Sequence, residues 1–189
     1  MSRTYMIRHG KPSATWGDLD DDPGLDETGQ AQARAVAEIL LALPAAARPT
    51  RVVSSPLRRC RETAQPFADA LGVDLIIDPR VGEIPTPKAV SHEDRGAWLR
   101  EAFGGRWSEI KGDLDYNAWR RDVAQAVADH AGAAIFSHFV AINGAVTLVG
   151  GGDLVMGFRP DHCSMQVFEV TDDALILIAK GREASTQVL

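Results

Sequence analysis

Met6-Ile7-Arg8-His9-Gly10-Lys11 is the stretch whose reading decides this chain. Tyr5, Met6 and Ile7 form an apolar strand that ends abruptly in a guanidinium, an imidazole and a glycine. A strand leaving a core normally hands the chain to turn residues. This one delivers the side chain whose unperturbed pKa lies nearest neutrality, beside a permanent cation. In open α/β sheets the crevice beyond the carboxyl ends of the strands is where ligands bind. Gly10 permits a tight turn or the close approach of a ligand. The chemistry implied is an imidazole set to attack or hold an anion.

Two further stretches follow the same pattern. Arg51-Val52-Val53 is a short strand that runs into Ser54-Ser55-Pro56-Leu57-Arg58-Arg59-Cys60-Arg61-Glu62-Thr63-Ala64. Ser55 and Pro56 read as cap and first residue of a helix, which is expected to reach Leu71 and close at Gly72. A helix start offers unpaired N–H groups and partial positive charge to an anion. Arg58, Arg59 and Arg61 leave such a helix in different directions, so one of them faces the sheet end. Ile135-Phe136-Ser137-His138 is again an apolar strand ending in histidine. Parallel strands bring their carboxyl ends to one edge, which would gather Arg8, His9, an arginine of the second stretch and His138. Glu83, in Arg80-Val81-Gly82-Glu83-Ile84-Pro85, lies in a proline-braced loop and is either exposed or part of the same pocket.

Arg8-His9-Gly10 after a first strand, the Ser54–Ala64 segment over its whole length, and the strand-borne His138 together resemble the histidine phosphatase superfamily, the phosphoglycerate-mutase-like proteins. The likeness runs through nearly the whole chain in the right order. It implies that His9 is the phosphorylated nucleophile and that Arg8, Arg59 and His138 bind the phosphate. It also implies that Glu83 is the proton donor, with a raised pKa supplied by partial burial. Arg58 and Arg61 are then surface or supporting arginines. The family commonly has glycine after its second histidine; here Phe139 stands there, which bears on the shape of the pocket.

The intervening chain supplies the scaffold. Residues 12–26 are polar and turn-rich, and the run Asp18-Leu19-Asp20-Asp21-Asp22 reads as a solvated loop. Thr28 is expected to cap a helix over residues 30–43, where Ala33, Val36, Ala37, Leu40 and Leu41 recur at helical spacing before Pro44 and Pro49. Residues 73–77 give a third strand, and the strand–helix–strand order implies parallel strands joined by right-handed crossovers. Residues 91–115, with Trp98, Phe103 and Trp107, should lie over the sheet end as helix and loop. Residues 116–130 and 139–149 read as helices, and residues 164–171 with 174–180 as an antiparallel pair. The expected class is α/β: a three-layer α/β/α sandwich around a mixed, mostly parallel sheet. A single domain is expected over residues 1–189, with residues 84–119 as a lid or substrate-specificity insertion.

Composition narrows the function classes. The chain has 189 residues, 45% of them hydrophobic and 24% charged, which suits an ordinary globular domain. A net charge of -6 argues against a broad nucleic-acid surface but not against one small cationic pocket. Residues 133–152 are apolar enough to raise the question of a membrane span. Ser137, His138, Asn143, Thr147 and Gly150-Gly151-Gly152 interrupt them, so a strand and a buried helix are expected and no membrane partner. No secretory signal follows Arg3, and Cys60 and Cys163 have no metal-like spacing. A reduced, cytoplasmic protein is expected.

The function expected is hydrolysis of a small phosphorylated metabolite, a phosphomonoester, through phosphohistidine on His9, with no cofactor and no metal. Three alternatives stand beside it. A mutase would need a larger lid to keep water from its phosphorylated intermediate. A two-histidine, one-carboxylate metal site would use His9, His138 and Glu83, against the opposition of the neighbouring arginines. A non-catalytic phospho-ligand binder would keep the pocket alone. Specificity is expected in residues 88–119, where Arg95, Arg100, Arg106 and the tryptophans would either meet the substrate or anchor the lid. Asn143, one turn after His138, reads as a site residue or a plain helix-face residue.

Overall fold

Ser2–Arg8 forms strand β1 of the computed structural model, which describes residues 2–14, 22–172 and 174–184. Of the acidic run, Asp18 to Asp21 lie outside the described residues. The later strands are β2 (Arg51–Ser54), β3 (Leu75–Ile77), β4 (Ala133–Ser137), β5 (Met165–Val170) and β6 (Leu175–Ala179). Together with β1 they form a six-stranded sheet in the order β3-β2-β4-β1-β5-β6. The pairs β3/β2, β2/β4 and β4/β1 are parallel, while β1/β5 and β5/β6 are antiparallel.

The helices are α1 (Glu27–Leu41), α2 (Arg58–Leu71), α3 (Arg95–Phe103), α4 (Tyr116–Asp129) and α5 (Phe139–Val149). Alternation along the strands sorts four of them onto two faces. Met6, Val53 and Ile135 point to one face, where they pack with Val123 and Val127 of α4 and Ile142 and Ala145 of α5. Tyr5, Ile7, Val52, Ala134 and Phe136 point to the other, against Val36 and Leu40 of α1 and Ala64 and Phe67 of α2. A sheet covered on both faces needs near-continuous apolar strands, which is why β1, β2 and β4 read that way in sequence. The result is the expected three-layer α/β/α sandwich around a mixed sheet. A third cluster joins Ile84, Leu99, Trp107 and Tyr116 to Phe139 and Val140 at the start of α5.

Several expected boundaries are corrected. Asp26, not Thr28, caps α1: its carboxylate accepts the Gly29 N–H at 2.7 Å, so the helix starts at Glu27 and Thr28 falls within its first turn. The second helix begins at Arg58 rather than Pro56, and Leu57 stands at its cap position with no side-chain bond. Asp22 reaches in instead, accepting the Arg58 N–H at 2.7 Å. The helix runs through Pro66, as the sequence reading has it, and closes at Gly72 with φ 67°. Strand β3 starts at Leu75 rather than Val73, because the Val73 N–H still bonds the helix carbonyl of Ala68. No helix among the described residues is long and apolar enough to cross a membrane; the apolar stretch in question resolves into β4 and the buried α5.

Candidate active site

The register of the sheet explains how separate stretches meet. Arg8 on β1 lies opposite Ser137 on β4, so the residues that follow, His9 and His138, emerge side by side. Their ring centroids are 5.3 Å apart in an edge-on arrangement. Strand β2 ends on the other side of β4, where the Ser55 N–H donates to Phe136 O at 3.0 Å. That places the start of α2 at the same edge, and Arg59 Nη2 comes within 3.3 Å of His138 Nδ1. Arg8, His9, Arg59 and His138 are therefore all brought together, and all four are buried.

His9 has a defined orientation. Its Nδ1 is 2.8 Å from the carbonyl of Gly10, which can only accept, so Nδ1 carries the proton and Nε2 keeps its lone pair. The Gly10 N–H donates to Thr63 Oγ1 at 2.9 Å, and that hydroxyl donates to Arg59 O at 2.6 Å, tying the histidine turn to α2. Gly10 is required here because a Cβ would lie 2.7 Å from Gly29 O. The close neighbour is thus the first turn of α1, not a ligand.

The electrostatics are those of an anion site. Burial holds the His9 imidazole well below its usual pKa, and His138, Arg8 and Arg59 push it further the same way. Burial does the same to His138, helped by Arg59, Arg8 and Arg95. Arg8 is itself lowered to about 10 by burial. Its Nη1 donates to Pro160 O at 3.0 Å, whereas its buried Nε–H has no acceptor among the described residues. Cationic donors gathered without enough acceptors are the arrangement that a phosphate dianion satisfies.

Glu83 reaches this pocket from the loop after a 3-10 turn at Pro79–Val81. One of its carboxylate oxygens accepts the N–H groups of Ile84 at 3.0 Å and Val140 at 3.2 Å, the second in the first turn of α5. Burial raises its pKa, against the pull of the Ile84 N–H and of Arg59, Arg95 and Arg8. Arg95, half-buried at the start of α3, donates to Ile84 O at 3.2 Å and lies within electrostatic range of Glu83, Arg59 and His138. Arg100 and Arg106 are exposed, as are Arg58 and Arg61.

Other residues are used structurally. Trp107 is buried and its indole N–H donates to Thr147 Oγ1 at 3.0 Å, so it anchors its segment to α5. Asn143 donates to Phe139 O and accepts the N–H groups of Gly157 and Phe158, which fixes residues 157–158. Phe139, in place of the glycine of the resembled family, is buried with the Arg8 guanidinium 5.2 Å from its ring centroid. It packs against Phe103 of α3, centroids 5.4 Å apart. Cys60 is fully buried with its thiol pKa raised, and its sulfur lies 3.4 Å from Ser137 O. Among the described residues no group of three His, Cys, Asp or Glu is arranged to hold a metal ion.

Two residues were not found by sequence reasoning in the positions they hold. Ser55, read as a cap, is buried with its hydroxyl 2.8 Å from His138 Nε2. His162 lies with its ring centroid 5.8 Å from that of His9. The signal for it is topological: β5 runs antiparallel to β1, so the residues just before β5 return to the edge where β1 ends.

The chain is similar to proteins named for two activities. It is 29% identical over 185 residues to the 2,3-bisphosphoglycerate-dependent phosphoglycerate mutase of Thermoplasma acidophilum, covering 90% of this chain and 88% of that one. It is 40% identical over 86 residues to the glucosyl-3-phosphoglycerate phosphatase of Mycolicibacterium vanbaalenii, an alignment that spans 43% of this chain and 36% of that one. In fold it resembles the Entamoeba histolytica phosphoserine phosphatase solved with 3-phosphoglyceric acid, with TM-score 0.75, 20% identity and coverage of 96% of this chain and 98% of that chain. The profile of the histidine phosphatase superfamily, branch 1, matches residues 4–180, and the chain belongs to that family.

Proposed function

We propose that the protein is a phosphatase that hydrolyses a small phosphomonoester through a phosphohistidine on His9. The observation that carries this reading is the fixed orientation of His9: Nδ1 bonded to Gly10 O, Nε2 free, and Arg8, Arg59 and His138 around it. In the first step Nε2 forms the N–P bond while the ester P–O bond breaks, and the carboxylic acid of Glu83 gives its proton to the leaving oxygen. In the second step water attacks phosphorus, the N–P bond breaks, and the Glu83 carboxylate takes a proton from that water. Splitting one displacement into two is the gain from covalent catalysis. Arg8 and Arg59 hold the equatorial oxygens through bidentate contacts. His138 donates a hydrogen bond to charge that spreads over those oxygens in the transition state.

Residues 84–119 act as the specificity segment on this reading, with Arg95 facing a further anionic group of the substrate. The phosphoserine phosphatase and glucosyl-3-phosphoglycerate phosphatase relatives support a carboxylate-bearing phosphomonoester. The match over 88% of a phosphoglycerate mutase favours a second reading, isomerisation of phosphoglycerate at the same pocket. One experiment separates them. Purified protein is given phosphoserine, 3-phosphoglycerate and a phosphomonoester panel, and both released phosphate and 2-phosphoglycerate are measured. Phosphate release that is lost in His9→Ala is the expected result. Isomerisation without release would establish the mutase, and a His9→Ala variant retaining most of its activity would remove both readings.

A further inference from the structure

The loop from Pro160 to Ser164 is held more tightly than the steps above require. Cys163 has φ 55°, a left-handed backbone that L-residues avoid because Cβ crowds the following carbonyl. Bonds on both sides hold it there. The Cys163 N–H donates to Arg8 O at 3.0 Å, the Arg8 N–H to Ser164 O at 3.1 Å, and Arg8 Nη1 to Pro160 O at 3.0 Å. Asp161 is fixed in turn by Arg182, whose Nε–H donates to its carboxylate at 3.0 Å. Backbone conformations of this kind persist where the surroundings over-determine them, and they cluster at functional sites.

What the turn achieves is the placement of His162. Its ring is 5.8 Å from the His9 ring, tilted by 52°. Its backbone N–H donates to Asp161 Oδ1 at 2.8 Å, but its ring nitrogens have no hydrogen-bond partner among the described residues. We propose that His162 is a third imidazole of the anion pocket and hydrogen-bonds an oxygen of the bound phosphoryl group. The inference rests on reading the pocket as a phosphoryl site, and it adds a binding residue to Arg8, Arg59 and His138.

The surroundings define how such a ligand behaves. Burial, and then Arg8, lower the His162 imidazole to about 4, with Lys11 acting the same way and Asp161 and Asp26 opposing. It is therefore neutral at physiological pH and donates one N–H. A dianion beside it favours a second proton, so the pKa is higher with phosphate bound than without. The extra affinity is present below the bound-state pKa and is lost as pH rises through it. Binding of phosphate should then draw a proton onto His162 in the pH range between its free and bound pKa values, and calorimetry for proton uptake is run there.

The test is calorimetry of inorganic phosphate binding to the full chain, wild type against His162→Ala and His162→Asn, in buffers of different ionisation heat. His162→Ala should weaken phosphate by about 10- to 100-fold, the range for a hydrogen bond to a charged group. His162→Asn keeps an N–H donor and should recover most of the affinity at pH 8, while taking up fewer protons per phosphate than wild type. Equal affinity in His162→Ala and wild type overturns the proposal. So does equal loss in both variants with unchanged proton uptake, the outcome of a purely structural loop. Wild type that binds phosphate but releases none from esters would fail the catalytic reading and leave the His162 comparison intact. Folded wild type that binds no phosphate would overturn both.

Discussion

Burial first, then His138 and the buried Arg8 and Arg59, keep the His9 imidazole neutral, so on the proposed mechanism the groups that clamp the phosphate also help to keep the nucleophile unprotonated. Glu83 is tuned the opposite way, with burial favouring its protonated form. On the proposed mechanism, Glu83→Gln removes the acid and the later base. Turnover of an alkyl phosphate should fall by about 10²–10⁴-fold. p-Nitrophenyl phosphate, whose leaving group needs no proton, should still give a rapid burst of nitrophenol before slow hydrolysis, which rapid-quench kinetics would record. His138 depends on a different neighbour. Its Nδ1 faces Arg59, which can only donate, and its Nε2 faces the buried Ser55 hydroxyl. For Nδ1 to donate to a phosphoryl oxygen, Arg59 Nη2 must turn from it to the phosphate and Nε2 must accept. The Ser55 O–H, at 2.8 Å, is the shorter of the two contacts of Nε2, the other being the Cys60 sulfur at 3.3 Å. Ser55→Ala should therefore lower kcat more than it raises KM, by about tenfold, with His138 ¹⁵N shifts moving toward the other tautomer and Ser55→Thr restoring both. The four core side chains were legible because each follows an apolar strand or opens a helix. Ser55 was not, since a serine before proline looks the same whether it caps a helix or bonds a distant imidazole.

Strands and turns deliver these groups, and one ionic cluster built on the buried Asp78 links the sheet edge to α4. Asp78, just past β3, accepts from Arg80 Nη2 at 2.7 Å, while His130 Nε2, at the end of α4, lies 2.9 Å from it. Arg80 continues to Asp129 at 2.7 Å. This braces the 3-10 turn from which the Glu83 loop leaves. Burial would raise the Asp78 pKa, but the bonds from Arg80 and His130 outweigh it and hold the carboxyl at about 2. Because the folded value lies below the unfolded one, the stability it contributes is full above about pH 4 and is lost as pH falls toward 2. Asp78→Asn should cost about 1.5–3 kcal/mol at pH 7, the scale of a charged hydrogen bond. The variant should also show a flatter pH dependence between 4 and 2 in urea titrations. None of this cluster was legible, because its members sit on three elements with nothing periodic to connect them. The start of α2 failed for a related reason: Asp22 serves it from a distant loop, a contact that local capping patterns do not encode, whereas Asp26 is a local cap of α1 that the choice of Thr28 passed over.

At the scale of the whole molecule the topology was readable because burial on both faces leaves a mark in each central strand, and residues 133–137 and 139–149 fell where expected. His162 was missed because its place depends on the direction of β5, and strand direction is written in pairing rather than composition. That same topology makes the pocket a junction. Arg8 ends β1 and His9 follows it, Arg59 lies in the first turn of α2, His138 follows β4, Glu83 follows the turn after β3, and the His162 loop leads into β5. On the proposed reading an anion bound there would touch groups carried by five separate segments, so it should stabilise the fold as a unit. Ligand at 100 times its Kd adds about 2.7 kcal/mol to the native state. For a chain of this length that corresponds to a rise in Tm of roughly 5–10 °C. Inorganic phosphate or vanadate should produce this shift in scanning calorimetry, and sodium chloride at matched ionic strength should not. Arg59→Ala should abolish most of it, because the remaining groups then lack the guanidinium that joins α2 to the sheet edge. A shift that survives in Arg59→Ala would place the anion elsewhere on the molecule.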